Sequence, residues 1–379
     1  MNVNANFDLT YVTIDSIAEG VGSSQILPLI QRHALSGLKI NLITFEKISP
    51  SSELIDSLKS IGVSWSPLPF GPKHVTAGVS RINSLRREIR NTNLIHARSD
   101  LPAVSAIASQ QAPVLWDVRS LWADQKVIIQ ESVLNKSLYR VFRGFESISA
   151  SKSDGMSTLT RAVVPILEAR NARVPALRTV VPTAVDLNSF KLNPTMPIKT
   201  KALFSGTFNK YYDLNLSKLF MNEFKRLAKV EIHWARPAES NRPQIDVGET
   251  QVLNLNQLQM SEILANYSFG VSVCKMDAGP SLKAAMPTKI GEFLAVGRPV
   301  IVNKGLGDMD GFIQEFNAGV ILDGSIENLK EGADKLRVLI DDKETPLRCR
   351  ALAEKYFNMD TGAENYLNLY SEILTTKGP

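Results

Sequence analysis

Along the whole chain, short apolar runs alternate with longer stretches in which apolar positions recur every three or four residues. Leu9–Ile14, Leu38–Phe45, Val63–Pro69, Leu94–Arg98, Pro113–Val118, Gly155–Leu159 and Thr179–Ala184 read as strands. Helical spacing falls between them, at residues 23–36, 53–61, 80–91, 101–109, 138–151 and 161–168. Residues 191–201, K-L-N-P-T-M-P-I-K-T-K, hold two prolines and no clear period, and read as a linker. The alternation then resumes, with strands at 202–206, 230–234, 251–255, 270–274, 300–302 and 319–322. Helices are expected at 214–227, 260–267, 288–296, 326–340, 345–356 and 362–374. The pattern predicts an α/β chain of two Rossmann-like, doubly wound parallel-sheet domains. Their expected spans are 1–190 and 202–358, joined by the 191–201 linker, with a closing helical segment at 359–379.

One stretch, Gly279 to Val302, stands out for its chemistry. Pro287 suits the first turn of a helix, and the Thr288 hydroxyl suits its N-cap. Ile290, Phe293 and Leu294 make an apolar face, and Gly297 and Pro299 end the helix before a strand at Val300. Thr288, Lys289 and Glu292 share a second face. A loop that brings backbone N–H groups and a lysine to a helix N-terminus is an anion site, and a glutamate one turn on would accept hydrogen bonds from sugar hydroxyls. The same spacing also describes a surface helix with a Lys/Glu pair.

In the first half, Gly20-Val21-Gly22-Ser23-Ser24-Gln25 follows the first strand, and Glu46 closes the second. A dinucleotide fingerprint would have a third glycine at Gln25, and it would begin about five residues earlier, at the strand end. A wide glycine loop under a cleft is the better reading. His96, Arg98, Asp117 and Arg119 fall at the carboxyl ends of expected parallel strands, the edge where open α/β sheets bind ligands. The helix at 80–91 carries Arg81, Arg86, Arg87 and Arg90 all around its surface, which suits solvent, or alternatively an anionic membrane surface. Residues 138–151 read as a helix with a mixed surface.

Charge sharpens this division. Residues 1–190 hold 20 basic against 15 acidic residues, whereas residues 191–379 hold 23 of each. A basic first half suggests an anionic partner there, whether phosphate, an acidic lipid surface or nucleic acid, and charge that serves only solubility is the alternative. Two cysteines among 379 residues make neither a disulfide framework nor a metal cluster and fit a reducing compartment. The N-terminus lacks a signal-peptide layout, and no apolar run approaches the ~20 residues of a membrane span.

With these residues in order, the chain resembles the GT-B glycosyltransferases, and among them glycosyltransferase family 4, retaining enzymes that use nucleotide sugars. The resemblance rests on E-G-V-G-S-S-Q, I-H-A-R-S-D-L-P-A, L-W-D-V-R-S-L-W-A-D-Q-K-V and V-V-P-T-A-V-D-L-N-S-F in the first half. The second half adds L-F-S-G-T-F-N-K-Y-Y, P-T-K-I-G-E-F-L-A-V-G-R-P-V-I and a closing Y-L-N-L-Y-S-E-I-L. The resemblance implies two domains facing a central cleft, a last helix crossing back to the first domain, and a bacterial enzyme of surface polysaccharide or glycoconjugate synthesis. It implies a UDP- or GDP-sugar donor held mainly by the second domain, and a glycan or lipid-linked acceptor held by the first. Glu292 would hold the ribose. Ser281, Thr288, Lys289 and the 281–287 backbone would hold phosphate or donor sugar. Gly206 would sit in the phosphate loop with Lys210 as its cation, and Gly20 and Gly22 would let the first-domain loop approach the diphosphate. His96, Arg98, Asp117 and Arg119 would face the acceptor or the transferring sugar. Many members carry two glutamates eight residues apart, and here Glu292 matches the second while Ala284 occupies the first position. Asp308-Met309-Asp310 is a D-x-D string in a glycine loop, outside the fold context in which such strings hold a metal, so no essential metal and no other cofactor are expected. A cytoplasmic protein, peripheral at the inner face of the membrane and without a nucleic-acid partner, is expected. A sugar-nucleotide 2-epimerase or phosphorylase of the same fold, or a non-catalytic partner subunit, are the alternatives.

Overall fold

The computed structural model describes residues 6–71, 77–129, 133–205, 209–236, 250–254 and 257–377. Its chain divides into two units, each built on one parallel sheet.

The first unit contains β1 (Phe7–Val12), β2 (Ile40–Glu46), β3 (Val63–Pro69), β4 (Thr92–Arg98), β5 (Val114–Val118), β6 (Gly155–Thr158) and β7 (Leu177–Val180). They run in the order β3-β2-β1-β4-β5-β6-β7, with parallel pairing throughout. Helices cover both faces of such a sheet, so central strands bury every side chain and read as unbroken apolar runs. β2 and β5 do so along their whole length. β3 lies at the edge, where Pro67 and Pro69 remove ladder donors at little cost, and its burial is partial. The Met359–Lys377 helix belongs to this unit and packs on β4, β7 and the Leu27–Leu35 helix.

The second unit contains β8 (Lys201–Ser205), β9 (Glu231–Arg236), β10 (Thr250–Asn254), β11 (Phe269–Ser272), β12 (Val300–Asn303) and β13 (Gly319–Leu322). Their order is β10-β9-β8-β11-β12-β13, again all parallel. The Leu214–Leu227 helix is capped by Asp213, whose carboxylate accepts from the Leu216 amide. Its Phe220 and Phe224 pack with Phe204, Trp234, Phe269 and Leu336 in the core. Gly270 lets the Thr288–Ala295 helix lie close on β11, since a Cβ there would stand 2.1 Å from the Phe293 ring.

Each sheet reverses its winding once, between β1 and β4 in the first unit and between β8 and β11 in the second. The chain leaves each of these pairs in opposite directions, so the carboxyl ends of the two strands border an open crevice.

Several boundaries move. By contacts, the second unit comprises Asp124–Glu131 together with Pro182–Asn358. Residues of the expected 191–201 linker are strapped to that unit by buried Arg298, whose guanidinium donates to the carbonyls of Asn193 (3.0 Å), Thr195 (2.8 Å) and Ala265 (2.7 Å). The expected 161–168 helix spans Val164–Arg170, with Pro165 in its first turn. Asp308-Met309-Asp310 opens the Met309–Phe316 helix instead of lying in a loop.

Candidate functional site

In the second unit, the loops that follow β8 and β11 are laced together. The Lys275 amide donates to the Tyr211 carbonyl (2.9 Å), and the Asp213 amide to that of Val273 (3.0 Å). Buried Ser281 donates its hydroxyl to the Tyr211 phenol oxygen at 3.2 Å. Lys210 is exposed on the same loop, one residue before Tyr211. Gly206 lies outside the described residues.

Beyond Ser281 the chain turns through the Pro280–Lys283 helix into the Thr288–Ala295 helix. The Thr183 hydroxyl, donating to the Met286 carbonyl at 2.6 Å, fixes that turn. The N-cap is Pro287, in extended conformation, and not Thr288, which is the first helical residue. The N-cap residue offers no side-chain bond to this end, and the Ile290 amide donates to the Pro287 carbonyl at 3.1 Å. Thr288, Lys289 and Glu292 are all partly buried on this helix. Burial pulls the Lys289 amine below its ordinary value, against the pull of Glu292 and Cys274. Burial likewise pushes the Glu292 carboxyl up, and Lys289 opposes it. An anion placed beside Lys289 would favour its charged form and offset that desolvation. Ala284 is buried, 2% exposed, at the end of the Pro280–Lys283 helix. In the D-x-D string, both Asp310 carboxylate oxygens accept from the Gly305 amide, at 3.1 and 2.9 Å.

In the first unit, the four strand-end residues do converge, and they converge on Asp117. The Arg98 guanidinium lies 3.6 Å from its Oδ2 and donates through Nε to Asp15 at 3.0 Å. Arg119 approaches Oδ1 at 3.6 Å, while Ser157 and Tyr366 donate their hydroxyls to that oxygen at 2.9 and 3.1 Å. Burial would raise the Asp117 carboxyl, but Arg119, His96 and Arg98 outweigh it and hold it well below the usual carboxylate range. His96 Nε2 stands 3.4 Å from Asp117 Oδ2, and Nδ1 meets the Tyr370 hydroxyl at 2.6 Å. An ionised carboxylate only accepts, so Nε2 carries the proton and Nδ1 accepts from Tyr370. Burial keeps this imidazole neutral, overriding the pull of Asp117.

This geometry corrects two expected roles. His96 and Asp117 do not face a ligand: Tyr366 and Tyr370 of the Met359–Lys377 helix cover them, and their exposures are 0% and 1%. They order Arg98 and Arg119 at the sheet edge instead. Gly20 and Gly22 do not form a wide loop either. They open the Gly20–Gln25 helix, and a Cβ on Gly22 would sit 1.9 Å from the Ser16 carbonyl. The close approach Gly22 permits is to its own chain. Glu46, at the end of β2, holds that loop: its carboxylate accepts from the Ile17 amide (3.0 Å), the Ala18 amide (3.4 Å), the Thr44 hydroxyl (2.6 Å) and the Ser16 hydroxyl. Glu46 is itself buried, so its oxygens serve this loop.

No protein-family model matches the chain, and no curated protein matches it in sequence. Solved structures match it in shape. Sucrose-phosphate synthase from Thermosynechococcus elongatus superposes with a TM-score of 0.69 over 97% of this chain and 99% of its own, at 12% identity. A glycosyltransferase from Rickettsia africae ESF-5 does so at 0.69 over 97% and 98%, with 14% identity. HepE of Anabaena, solved with UDP and glucose, gives 0.66 over 97% and 100%, with 11% identity. The chain has the GT-B fold.

The contacts that sequence reasoning missed in this GT-B chain are long-range. Tyr366 and Tyr370 meet Asp117 and His96 across 249 and 274 residues, with no local pattern to announce them. Asp15 and Glu46 did carry a signal, being acids at or near strand ends, but which groups they bind depends on how the loop folds back.

Proposed function

We propose that this chain is a glycosyltransferase that moves a sugar from a nucleotide-diphosphate sugar to a glycan or lipid-linked acceptor, with retention of anomeric configuration. The observation that carries this reading is the reversal edge of the second sheet. There an uncapped helix N-terminus, Lys289 and Glu292 stand together on one eight-residue helix. The complexes of HepE with UDP and with UDP-glucose support a UDP-sugar as the donor, and a GDP-sugar is the other candidate.

In this reading, Glu292 accepts hydrogen bonds from the ribose hydroxyls. The Thr288 and Lys289 end of the helix holds the diphosphate, with Ser281 nearby and Lys210 as a second cation. Lys289 is desolvated before the donor arrives and regains favourable charge as negative charge gathers on the leaving diphosphate, so its contribution grows toward the transition state. Retention follows when the leaving phosphate accepts the proton of the attacking hydroxyl on the same face of the sugar, which requires no side-chain base. Arg119, ordered by buried Asp117, holds the acceptor in the first unit, and buried Arg98 braces Asp15 and Asp117. Turnover is expected without a divalent metal, since Asp310 of the D-x-D string is taken by the Gly305 amide. The reaction would serve bacterial surface polysaccharide or glycoconjugate synthesis in the cytoplasm, next to the membrane.

The test is a thermal-shift series with UDP-, GDP-, ADP- and CDP-sugars, followed by product analysis with EDTA present. One nucleotide class should raise the melting temperature by mass action. No stabilisation by any of the four classes would sink the reading. Buried Ala284, at a position where many relatives keep a glutamate, favours a second reading, a non-catalytic subunit. Donor binding without turnover across a panel of acceptors would select it.

A further inference from the structure

Neither sheet edge uses the outward face of the Tyr139–Lys152 helix. On that helix Val141, Phe145 and Ile148 recur at intervals of four and three residues, with Lys152 four further on, so they form one stripe. Val141 is 52% exposed and Ile148 42%, while Phe145 is half-buried beside Trp122. The Val133–Ser137 helix that leads into it adds Val133, 83% exposed, and Lys136. Lys152 is exposed at the end of the stripe, and Arg140 is exposed on the adjoining flank of the helix. Residues 133–152 contain four basic residues and a single acid, Glu146. That acid is 1% exposed and is taken by Arg143, by Arg170 at 2.6 Å and by Asn171 at 3.0 Å. Among the described residues of these two helices, the face therefore shows apolar side chains and cations and no exposed carboxylate.

The arginine-rich Ala77–Glu88 helix is built differently. Arg81 turns inward over the Phe70 ring at 4.3 Å, Glu88 is exposed among the remaining arginines, and Val79 is its one exposed large apolar residue among the described side chains. It has charge but no apolar stripe.

We propose that the face of the Val133–Ser137 and Tyr139–Lys152 helices docks on an anionic lipid bilayer. Val133, Val141 and Ile148 enter the headgroup boundary, and Lys136, Arg140 and Lys152 meet lipid phosphates. A helix with apolar side chains and cations on one surface and a buried acid lies in the interface plane, and each cation adds to the attraction of an anionic leaflet. This inference stands on the chemistry of the helix alone and does not depend on the transferase reading.

The experiment is cosedimentation of the full chain with phosphatidylcholine vesicles, with and without phosphatidylglycerol, at low and high salt. The chain should partition onto phosphatidylglycerol vesicles only, and less at high salt. Arg140→Glu/Lys152→Glu and Val141→Ser/Ile148→Ser should each cut partitioning about tenfold or more, and Arg86→Glu/Arg87→Glu on the other helix should leave it unchanged. A Val141→Cys chain labelled with an environment-sensitive fluorophore gives a second readout, and its emission should shift to the blue on the anionic vesicles. The proposal is overturned by absent binding, by equal binding to neutral vesicles, by an unshifted label, or by loss of binding in the Arg86/Arg87 variant alone. Self-association without vesicles that Val141→Ser/Ile148→Ser abolishes would assign the face to a second copy and also overturn it.

Discussion

Glu292 carries two burdens that separate experimentally. It offsets the desolvation of Lys289, and in the proposed function it binds ribose. A Glu292→Ala chain should melt lower without ligand, because Lys289 loses the charge that favours its protonation. It should also bind the stabilising nucleotide roughly ten- to a hundredfold more weakly, the loss expected when a hydrogen bond to a charged group, worth about 1.5–3 kcal/mol, is removed. Calorimetry of the folded variant reads the second effect, and unchanged affinity would take Glu292 out of the site. Gly22 makes a purely structural claim. Gly22→Ala forces a methyl against the Ser16 carbonyl, so it should destabilise by about 1–3 kcal/mol in a denaturant melt, even though alanine is the better helix former. Lys289 and Glu292 were legible in the sequence because helical spacing alone puts them together. The reason for Gly22 was not, since it depends on the segment at Ser16 and Ile17 folding back against the Gly20–Gln25 helix.

At the scale of elements, that fold-back is the work of one carboxylate. Glu46 reaches from β2 to the segment between β1 and the Gly20–Gln25 helix and accepts from four donors there and on Thr44. Glu46→Ala leaves the Ile17 amide and the two hydroxyls to find other partners. Stability should fall by about 1–3 kcal/mol per group left buried and unpaired, and amides 16–18 should exchange with solvent faster while those of β5 keep their protection. Uniform exchange across the unit would show that the loop is not a separately held element. The strands and most helices could be read from periodicity, because each is decided by local burial. The Met359–Lys377 helix could be read as a helix, but its periodicity does not say which surface it covers. That it closes over His96 is decided by two tyrosines meeting a sheet edge more than 240 residues earlier. His96 is therefore covered and not presented at the sheet edge.

For the molecule as a whole, the buried titratable groups predict how stability varies with pH, and the first unit should decide it. His33 and His96 are buried there under the same helix, and burial pushes His33 down to about 3 from its ordinary 6.5, with His96 shifted the same way. Below pH 6.5 the unfolded chain binds protons that these folded imidazoles refuse, so acidification favours unfolding. Asp100 acts in the opposite sense. Burial, with Glu146 nearby, pushes its carboxyl up from 3.8 to about 8, while Trp116 donates to it at 3.1 Å. Between pH 3.8 and 8 the folded chain keeps a proton there that the unfolded chain has lost, so stability falls as pH rises through that window. Below pH 6.5 the two imidazoles outweigh this one group. Above pH 6.5 Asp100 is the first-unit group whose shift spans the window, and it should cost that unit roughly 2 kcal/mol between pH 6.5 and 8 at 1.36 kcal/mol per pH unit. The first unit should therefore be most stable near pH 6.5 and weaken on both sides. Denaturant melts followed by tryptophan fluorescence test this, since Trp65, Trp116 and Trp122 all belong to that unit. Asp100→Asn mimics the protonated carboxyl, so it should flatten the alkaline side and leave the acid side falling. A wild-type profile that stays level from pH 6.5 to 8, or an Asp100→Asn profile that still falls there, would show that Asp100 is not held protonated in the fold.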